Sequence, residues 1–200
     1  PKQYSFPDIE RPPEGLNLIV NDDRFAQEAR TVNFRLPAAQ AFARANNIDE
    51  VIFDATERRF GIITAGKAYL DVIEALSLLG IDARRAAALG IGVLKLGLTW
   101  PVDADGLRDF SARCREIMVI EEKRPFIEPQ VKDSLYHLPA DDRPRVSGKT
   151  TPEGAFLLAA SGELGPADIA AAIIDRLRAH DIIDDALASA IDRFERQARV

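Results

Sequence analysis

The stretch that decides the fold is FGIITAGKAYLDVIEALSLLG, residues 60–80. It begins with a short, β-branched apolar run at Phe60–Thr64, turns at Ala65-Gly66 and continues as an amphipathic helix that ends at Gly80. A strand, a tight glycine turn and a helix in this order predict the opening of a βαβ unit. In open α/β sheets the turn after such a strand is where ligands or partners bind, so this turn is the first candidate site.

The helix in this stretch carries one apolar face and one polar face. Lys67, Asp71 and Glu74 lie on the polar side, and the residues expected to be buried are Tyr69, Val72, Ile73, Leu76 and Leu79. Gly80 followed by Ile81 predicts a glycine stop with a hydrophobic contact. Asp82 then predicts the cap of a short helix, ARRAAAL, which ends in the same way at Gly90-Ile91.

The chain beyond residue 90 continues the alternation of strands and helices. Strands are expected at Gly92–Leu98, Ile117–Ile120 and Pro144–Val146, with helices at Asp103–Cys114 and Ile127–Leu135. This spacing predicts an α/β fold with a mostly parallel sheet and right-handed crossovers. Val51–Asp54 is also strand-like, either as a hairpin with Phe60–Thr64 or as an edge strand beside it.

The two ends of the chain differ from this central part. Residues 1–20 contain four prolines and predict an extended arm, and a helix from about Asn21 is expected to kink or divide near Arg35-Leu36, because Pro37 lacks a donor. That helix is expected to pack on both sides. Helices are also expected from Pro166 and over Asp184–Gln197, with a truncation point or docking tail at 193–200. The predicted organisation is therefore 1–50, arm and kinked helix; 51–150, α/β domain; 151–200, C-terminal loop and helical extension.

Composition excludes several classes of function. The chain is 46% apolar with a net charge of −6, which disfavours a nucleic-acid or anionic-membrane partner. Cys114 is the single cysteine and the two histidines lie far apart, so neither a disulfide, an iron–sulfur cluster nor a metal site is predicted. No apolar run approaches 18 residues and no signal peptide is visible, so a cytoplasmic location is expected. The start at Pro1, without a methionine, suggests an excised segment.

Gly61–Lys67 matches the first seven positions of the phosphate-loop pattern GxxxxGK[ST], but Ala68 replaces the hydroxyl that would hold magnesium. Its intervening residues also belong to the predicted strand, which leaves no loop to surround a phosphate. A weaker possibility stays open: the backbone N–H groups of Gly66 and Lys67 begin a helix and could attract an anion or a partner carboxylate. The alternative is a tight turn with a solvated lysine. Gly148-Lys149-Thr150 is interpreted as a strand-end turn.

Other candidate residues follow the neighbouring strands. Glu121 and Glu122 are adjacent, so they point to opposite faces and cannot share a proton; an interface or ion-pair role is favoured over catalysis. One of them is expected to pair with Lys67. Trp100-Pro101 is either an aromatic anchor for a neighbouring domain or packed under the following helix. The candidate anion or domain-interface residues are Thr64, Gly66, Lys67, Trp100, Glu121, Glu122, Lys123 and Arg124. Cys114 is interpreted as a small core residue, and no residue is assigned as catalytic.

Several blocks resemble the indolepyruvate ferredoxin oxidoreductases, a family of thiamine-diphosphate-dependent α-keto acid:ferredoxin oxidoreductases. These are GIITAGKAYLDVIEAL (61–76), the long block VLKLGLTWPVDADGLRDFSARCREIMVIEEKRPFIEPQVKDSLY (93–136) and RPRVSGK (143–149). FAQEAR (25–30), AFARAN (41–46) and AASGELGPADIA (159–170) extend the resemblance over most of the chain. The segment is similar to the transketolase carboxyl-terminal-type domain, which implies a mainly parallel five-stranded sheet, often with an antiparallel first strand, here Val51–Phe53.

The resemblance implies that the parent enzyme oxidatively decarboxylates an aryl-pyruvate to an acyl-CoA. It implies thiamine diphosphate, magnesium and iron–sulfur clusters as cofactors and ferredoxin and CoA as partners. This chain contains neither the Gly-Asp-Gly signature for thiamine diphosphate nor the cysteines for clusters. We therefore expect a non-catalytic structural domain that binds the thiamine-binding domains of the same enzyme, with homodimerisation left open. The alternative is a small-anion-binding regulatory module that uses the Gly66-Lys67 turn.

Overall fold

The sheet has five strands in the order β1-β3-β2-β4-β5. A computed structural model describes residues 3–197, so the last residues of the expected docking tail lie outside the described part. The strands are β1 (Glu50–Phe53), β2 (Phe60–Ala65), β3 (Ile91–Leu96), β4 (Glu116–Ile120) and β5 (Arg145–Ser147). The pairs β2–β3, β2–β4 and β4–β5 are parallel, whereas β1 is antiparallel to β3. The expected mostly parallel sheet with an antiparallel first strand is confirmed.

The expected position of β1 beside β2 is wrong. Residues 60–64 of β2 are fully buried, and both edges of β2 are occupied, by β3 and by β4. The outer edge of β3 is the place left for β1, whose residues Glu50 and Val51 are exposed. A strand that is half exposed suits the edge of a sheet, while a continuously apolar strand suits its centre.

The structure describes eight α-helices, and the last six of them cover the two faces of the sheet. They are α1 (Arg24–Arg30), α2 (Leu36–Ala45), α3 (Gly66–Leu78), α4 (Ala83–Leu89), α5 (Ala104–Ser111), α6 (Ile127–Tyr136), α7 (Pro166–Ala179) and α8 (Asp185–Gln197). Side chains of α3, α4, α7 and α8 share one buried cluster with Ile62 and Met118. Side chains of α5 and α6 share the other with Ile63 and Val119. Successive residues of β2 and β4 thus contribute alternately to the two clusters, because neighbouring side chains of a strand point to opposite faces of the sheet.

Gly80 ends α3 and Asp82 caps α4, as the sequence predicts. Gly80 adopts a left-handed φ of +68°, and the Ile81 N–H donates to the Leu76 carbonyl at 2.8 Å. Asp82 caps α4 by accepting from the Arg85 N–H at 2.8 Å. The buried face of α3 differs in part, since Tyr69 and Ile73 are only half-buried while Ala68 and Ala75 are buried.

The N-terminal helix continues past Pro37 without a break. Residues Thr31–Arg35 form a π-helical turn between α1 and α2, in which the Leu36 N–H reaches back to the Thr31 carbonyl. This wider turn accommodates the proline that removes a donor from the next position. The expected two-sided packing is wrong for the first half of the helix, because Phe25 and Val32 are exposed. Within residues 3–197, no helix is long and apolar enough to cross a lipid bilayer.

Candidate functional site at the strand-end edge

The carboxyl ends of β2, β3 and β4 lie side by side, because these strands are parallel neighbours. Thr64, near the end of β2, is paired in register with Lys95 of β3 and with Ile120 of β4. The three loops that follow are therefore brought to one side of the sheet. We call residues 64–67, 98–101 and 121–126 the strand-end edge. All eight candidate residues of the sequence analysis belong to it.

The turn after β2 differs from a phosphate loop. Gly61 and the residues up to Thr64 lie inside the buried strand. A side chain at Gly61 would overlap Ile117 and Phe110, which belong to the buried cluster shared with α5 and α6. The hydroxyl of Thr64 is buried and has no hydrogen-bond partner within residues 3–197. Gly66 begins α3 with a φ of +59°, a left-handed conformation that favours glycine. Thr64 is thus part of the core, and Gly66 is exposed at the helix start.

Lys67 is paired with two carboxylates. Its Nζ lies 2.8 Å from Asp71 Oδ2 and 3.3 Å from Glu122 Oε1. The hydrogen bond that Lys67 donates to Asp71, together with the smaller effect of Glu122, raises the pKa of Lys67. The expected pairing of Lys67 with one of the two adjacent glutamates is confirmed for Glu122. These carboxylates reduce the positive charge that the turn offers to an anion.

Glu121 caps the amino-terminal end of α6. Its side chain is buried, and its two carboxylate oxygens accept from the N–H groups of Phe126, Ile127 and Glu128 at 3.0, 2.8 and 3.0 Å. Such N–H groups have no partner within the helix, and a negative charge there is stabilised by the helix dipole. Glu121 and Glu122 therefore have different partners, as opposite orientations of adjacent residues require. Glu121 is a helix cap.

The loop after β4 continues with two cationic residues. Lys123 has a left-handed φ of +58°, and its ammonium donates to the carbonyl oxygen of Gly162 in the loop before α7. Lys123 and Arg124 are both exposed. Neither lies within 4.0 Å of a carboxylate among the residues that the structure describes. This part of the strand-end edge therefore presents positive charge to the solvent.

Two exposed aromatic side chains belong to the same strand-end edge. Trp100, which precedes Pro101 through a cis peptide bond, is 54% exposed, and so is Phe126. The expected alternative for Trp100, packing under the following helix, does not describe a ring with this exposure. Phe126 was missed by sequence reasoning, although it follows the same strand as the two glutamates. Its position in the loop before α6 was the available signal.

Lys149 is a buried cation that sequence reasoning also missed. It is 8% exposed, and its Nζ donates to the backbone carbonyl oxygens of Glu121 and Ala159. Burial lowers the pKa of Lys149, against the opposing effect of Glu121 and Glu128. The turn at Gly148–Thr150 is present, since the Gly148 N–H donates to the Thr150 carbonyl. The sequence gives no signal that this lysine points inward.

A second buried cluster lies at the opposite, amino-terminal edge of the sheet. Glu116 is fully buried and accepts from Arg176 of α7 through both oxygens at 2.8 Å, from Ser147 Oγ at 2.5 Å and from His180 Nε2 at 2.7 Å. The available signal was the spacing of Arg176, which falls three residues after Ile173 and seven after Ile169 on the buried stripe of α7.

The remaining side chains within residues 3–197 do not form a site for the cofactors that the resemblance implies. Cys114 is buried, and burial raises the pKa of its thiol to about 11, which fits a core residue. Within residues 3–197, no cluster of three or more histidine, cysteine or acidic side chains has the geometry of a metal site. A single cysteine and the lack of a Gly-Asp-Gly signature do not fit an iron–sulfur cluster or thiamine diphosphate. A groove of about 400 Å³ lies elsewhere, between α2, β3 and α5.

These features define a doubly wound α/β domain with an open, mostly parallel sheet and a strand-end edge. Residues 50–200 match the family described as the indolepyruvate oxidoreductase domain. The chain therefore belongs to the indolepyruvate oxidoreductase domain family, as its sequence blocks indicate. The arm and the first helices precede the matched residues.

Named relatives agree with this family. The chain is 37% identical over 76 residues to the indolepyruvate oxidoreductase subunit IorA of Pyrococcus abyssi, a match that covers 38% of this chain and 11% of the relative. Among solved structures, a 2-oxoglutarate:ferredoxin oxidoreductase from Magnetococcus marinus is 18% identical, with a TM-score of 0.48 and coverage of 84% of this chain and 26% of that one. A split-gene transketolase is 16% identical, with a TM-score of 0.44 and coverage of 65% and 41%. The chain thus corresponds to a small part of its curated relatives.

Proposed function

We propose that this chain is a non-catalytic structural and interface domain of an indolepyruvate (aryl-pyruvate) ferredoxin oxidoreductase. Its strand-end edge would pack against a neighbouring, thiamine-binding domain of the same enzyme. The parent enzyme would oxidatively decarboxylate an α-keto acid to an acyl-CoA and pass electrons to ferredoxin. Thiamine diphosphate, magnesium and iron–sulfur clusters would be carried by other domains.

The observation that carries the proposal is the set of partners held by the charged groups of the strand-end edge and by Lys149, which contacts it through the Glu121 carbonyl oxygen. The Glu121 carboxylate holds three helix N–H groups, Lys67 is paired with two carboxylates, and Lys149 donates to two carbonyl oxygens. A general acid or base must exchange its proton with a substrate, and groups committed to the fold in this way are poor candidates. The exposed groups that remain include aromatic rings, which are typical of interfaces.

The proposal is tested by assaying the purified chain alone. Indolepyruvate, CoA, thiamine diphosphate and magnesium are supplied with methyl viologen as electron acceptor, and the reduced dye is followed by its absorbance. We expect no reduction above a buffer blank, and no heat in calorimetric titrations with thiamine diphosphate or ATP. Sustained reduction of the dye by the isolated chain would overturn the proposal.

The alternative is a regulatory module that binds a small anion at the start of α3. It is favoured by the exposed backbone of Gly66 at the start of a 13-residue helix and by the half-exposed side chain of Lys67. Titration with phosphate and with sulfate distinguishes the two functions. Heat that is lost in Lys67→Ala but kept in Lys132→Ala would favour the module, because Lys132 is a similarly exposed lysine with an i,i+4 carboxylate partner. The structural proposal expects no heat in either variant.

A further inference from the structure

Trp100 and Phe126 are exposed aromatic residues on two neighbouring loops, and we call them the Trp100–Phe126 patch. A single nitrogen, Gln130 Nε2, donates to the carbonyl oxygens of Thr99 and Phe126, each at 3.0 Å. These two carbonyl groups therefore lie within about 6 Å of one another. Because Thr99 directly precedes Trp100, the two loops present their rings from adjacent positions on the strand-end edge. Both rings are 54% exposed, which leaves apolar surface in water.

Hydrogen bonds to Gln130 and Glu121 fix the loops that carry Trp100 and Phe126. Gln130 also accepts from the Val102 N–H at 3.2 Å, so its amide links both sides of the Trp100-Pro101 segment to α6. On the other side, Glu121 accepts from the Phe126 N–H itself. Because the backbone of both loops is already fixed, binding through these exposed aromatic side chains orders little additional backbone, and aromatic anchors on ordered backbone are typical of interface hot spots.

The charged side chains beside the patch that lack a partner of opposite charge within residues 3–197 are both cationic. Lys123 and Arg124 are exposed next to Phe126, and neither is paired with a carboxylate in the part of the chain that the structure describes. Glu121 and Glu122, the adjacent carboxylates, are already engaged by α6 and by Lys67. This cationic rim is carried by a chain with a net charge of −6. A partner with carboxylates would complement it.

A second copy of the chain fits this surface poorly. In a two-fold dimer the same patch faces itself, so Lys123 and Arg124 of both copies would meet. Like charges placed together at an interface disfavour that pairing. The relatives are much longer than this chain, which covers 11% of the Pyrococcus abyssi subunit. The positive charge of this surface and the greater length of the relatives therefore both favour another part of the same subunit as the partner.

We propose that the Trp100–Phe126 patch binds an acidic surface segment, bearing an apolar side chain, from another domain of the same oxidoreductase. This inference rests on the proposed function and names the chemistry of the partner. The apolar side chain packs between the two rings, and the carboxylates of the segment pair with Lys123 and Arg124. Gln130 is a positioning residue, because it fixes both loops and leaves the contact itself to the rings.

The experiment measures binding of the 200-residue chain to the separately expressed remainder of the subunit. Trp100 is the single tryptophan of the chain, and its fluorescence can be isolated by incorporating 5-hydroxytryptophan into this chain alone. We expect saturable binding with a blue shift of emission, weakened at least tenfold by Phe126→Ala and by Arg124→Glu. Binding is also expected to weaken as salt is raised. Tyr136→Ala is the matched control, since that ring is 66% exposed at the far end of α6.

The outcomes separate the two proposals. Binding that is unchanged in Phe126→Ala and Arg124→Glu overturns this inference and leaves an interface domain that uses another surface. A lack of any binding overturns the interface itself, and with it the proposed function. In the intact subunit, Arg124→Glu is expected to lower the melting temperature of the assembled protein, whereas Tyr136→Ala is expected to leave it unchanged. Equal effects of the two variants there also contradict the inference.

Discussion

Glu116 is the residue through which β4, β5 and α7 are joined. Burial by itself raises the pKa of its carboxyl, but hydrogen bonds from Arg176, Ser147 and His180 outweigh that effect and hold the pKa below its ordinary value of 4.5. The same pairing raises the pKa of Arg176. His180 Nε2 must carry a proton to donate to Glu116, which fixes the role of that ring nitrogen.

Replacing Glu116 by glutamine is expected to destabilise the protein at neutral pH. Arg176 would be left as a buried cation without a carboxylate, and breaking one side of a buried ion pair typically costs about 3–5 kcal/mol. Because the pKa of Glu116 is lowered on folding, its contribution is present above pH 4.5 and is lost as pH falls through the folded pKa. Urea unfolding between pH 7 and pH 3 measures this, and the gap between wild type and variant should narrow with acid.

The matched control for this prediction is Glu195→Gln. Glu195 also pairs with an arginine of α7, Arg178, at 3.0 Å, but at the surface, where Arg178 is about half exposed and Glu195 partly exposed. Surface pairs contribute about 0–1 kcal/mol, so this variant is expected to resemble the wild type at every pH. A Glu116→Gln variant as stable as Glu195→Gln would show that the buried cluster does not stabilise the fold.

At the scale of one element, α6 depends on a cap supplied by the preceding strand. Glu121→Gln replaces one of the two carboxylate oxygens by an NH₂ group that cannot accept from the helix N–H groups. A buried donor left unsatisfied costs about 1–3 kcal/mol. We expect the variant to unfold at lower temperature and its Phe126–Glu128 amides to exchange faster with deuterium. Both quantities are measurable on the same sample.

Glu122→Gln separates this cap from a general effect of charge. Glu122 is the next residue and loses the same charge on substitution, and its ion pair within residues 3–197 is the surface pair with Lys67. Its substitution is expected to cost less than about 1 kcal/mol and to leave amide exchange in α6 unchanged. Equal destabilisation by the two substitutions would contradict the role of Glu121 as a cap.

The elements that sequence predicts well are those with local signals. The ends of α3 and α4 follow from Gly80, Asp82 and Gly90, whose conformations depend on neighbouring residues alone. The position of β1 does not follow in this way, because it depends on which edge of the sheet remains open after β3 and β4 have paired with β2. The π-helical turn before Pro37 is an intermediate case, since the proline predicts a disturbance but not its form.

For the candidate site, the sequence predicts the location better than the roles. Strand ends identify the loops that hold Lys67, Trp100 and Glu122, because parallel strands bring their carboxyl ends together. Whether a side chain there is buried depends on packing from distant parts of the chain. Lys149 is an example, because its ammonium is buried and donates to the carbonyl oxygens of Glu121 and Ala159, which are distant in sequence.

For the whole molecule, the division of the chain into a central domain and a C-terminal extension stays a prediction, and α7 offers its test. Ile169, Ile173 and Leu177 are fully buried in the same cluster as Val72 and Leu76 of α3. Burying a side chain of this size contributes about 1.5–3 kcal/mol. Three of them, together with the Arg176 pair, amount to much of the 5–15 kcal/mol by which domains are typically stable.

Removing residues 166–200 is therefore expected to abolish cooperative folding. The truncated chain would expose the apolar face of α3 and leave Glu116 without the arginine that pairs with it. Near-ultraviolet circular dichroism and thermal unfolding measure the loss of fixed packing. Deletion of residues 1–20 is the control, because the contacts of that arm are mainly with the α2 region, such as Ser5 with Asn46 and Phe6 with Phe42. Its removal should leave the transition in place. A truncated chain that unfolds as sharply as the full chain would show that α7 is an appendage, because the sheet and α3 would then hold their packing without it.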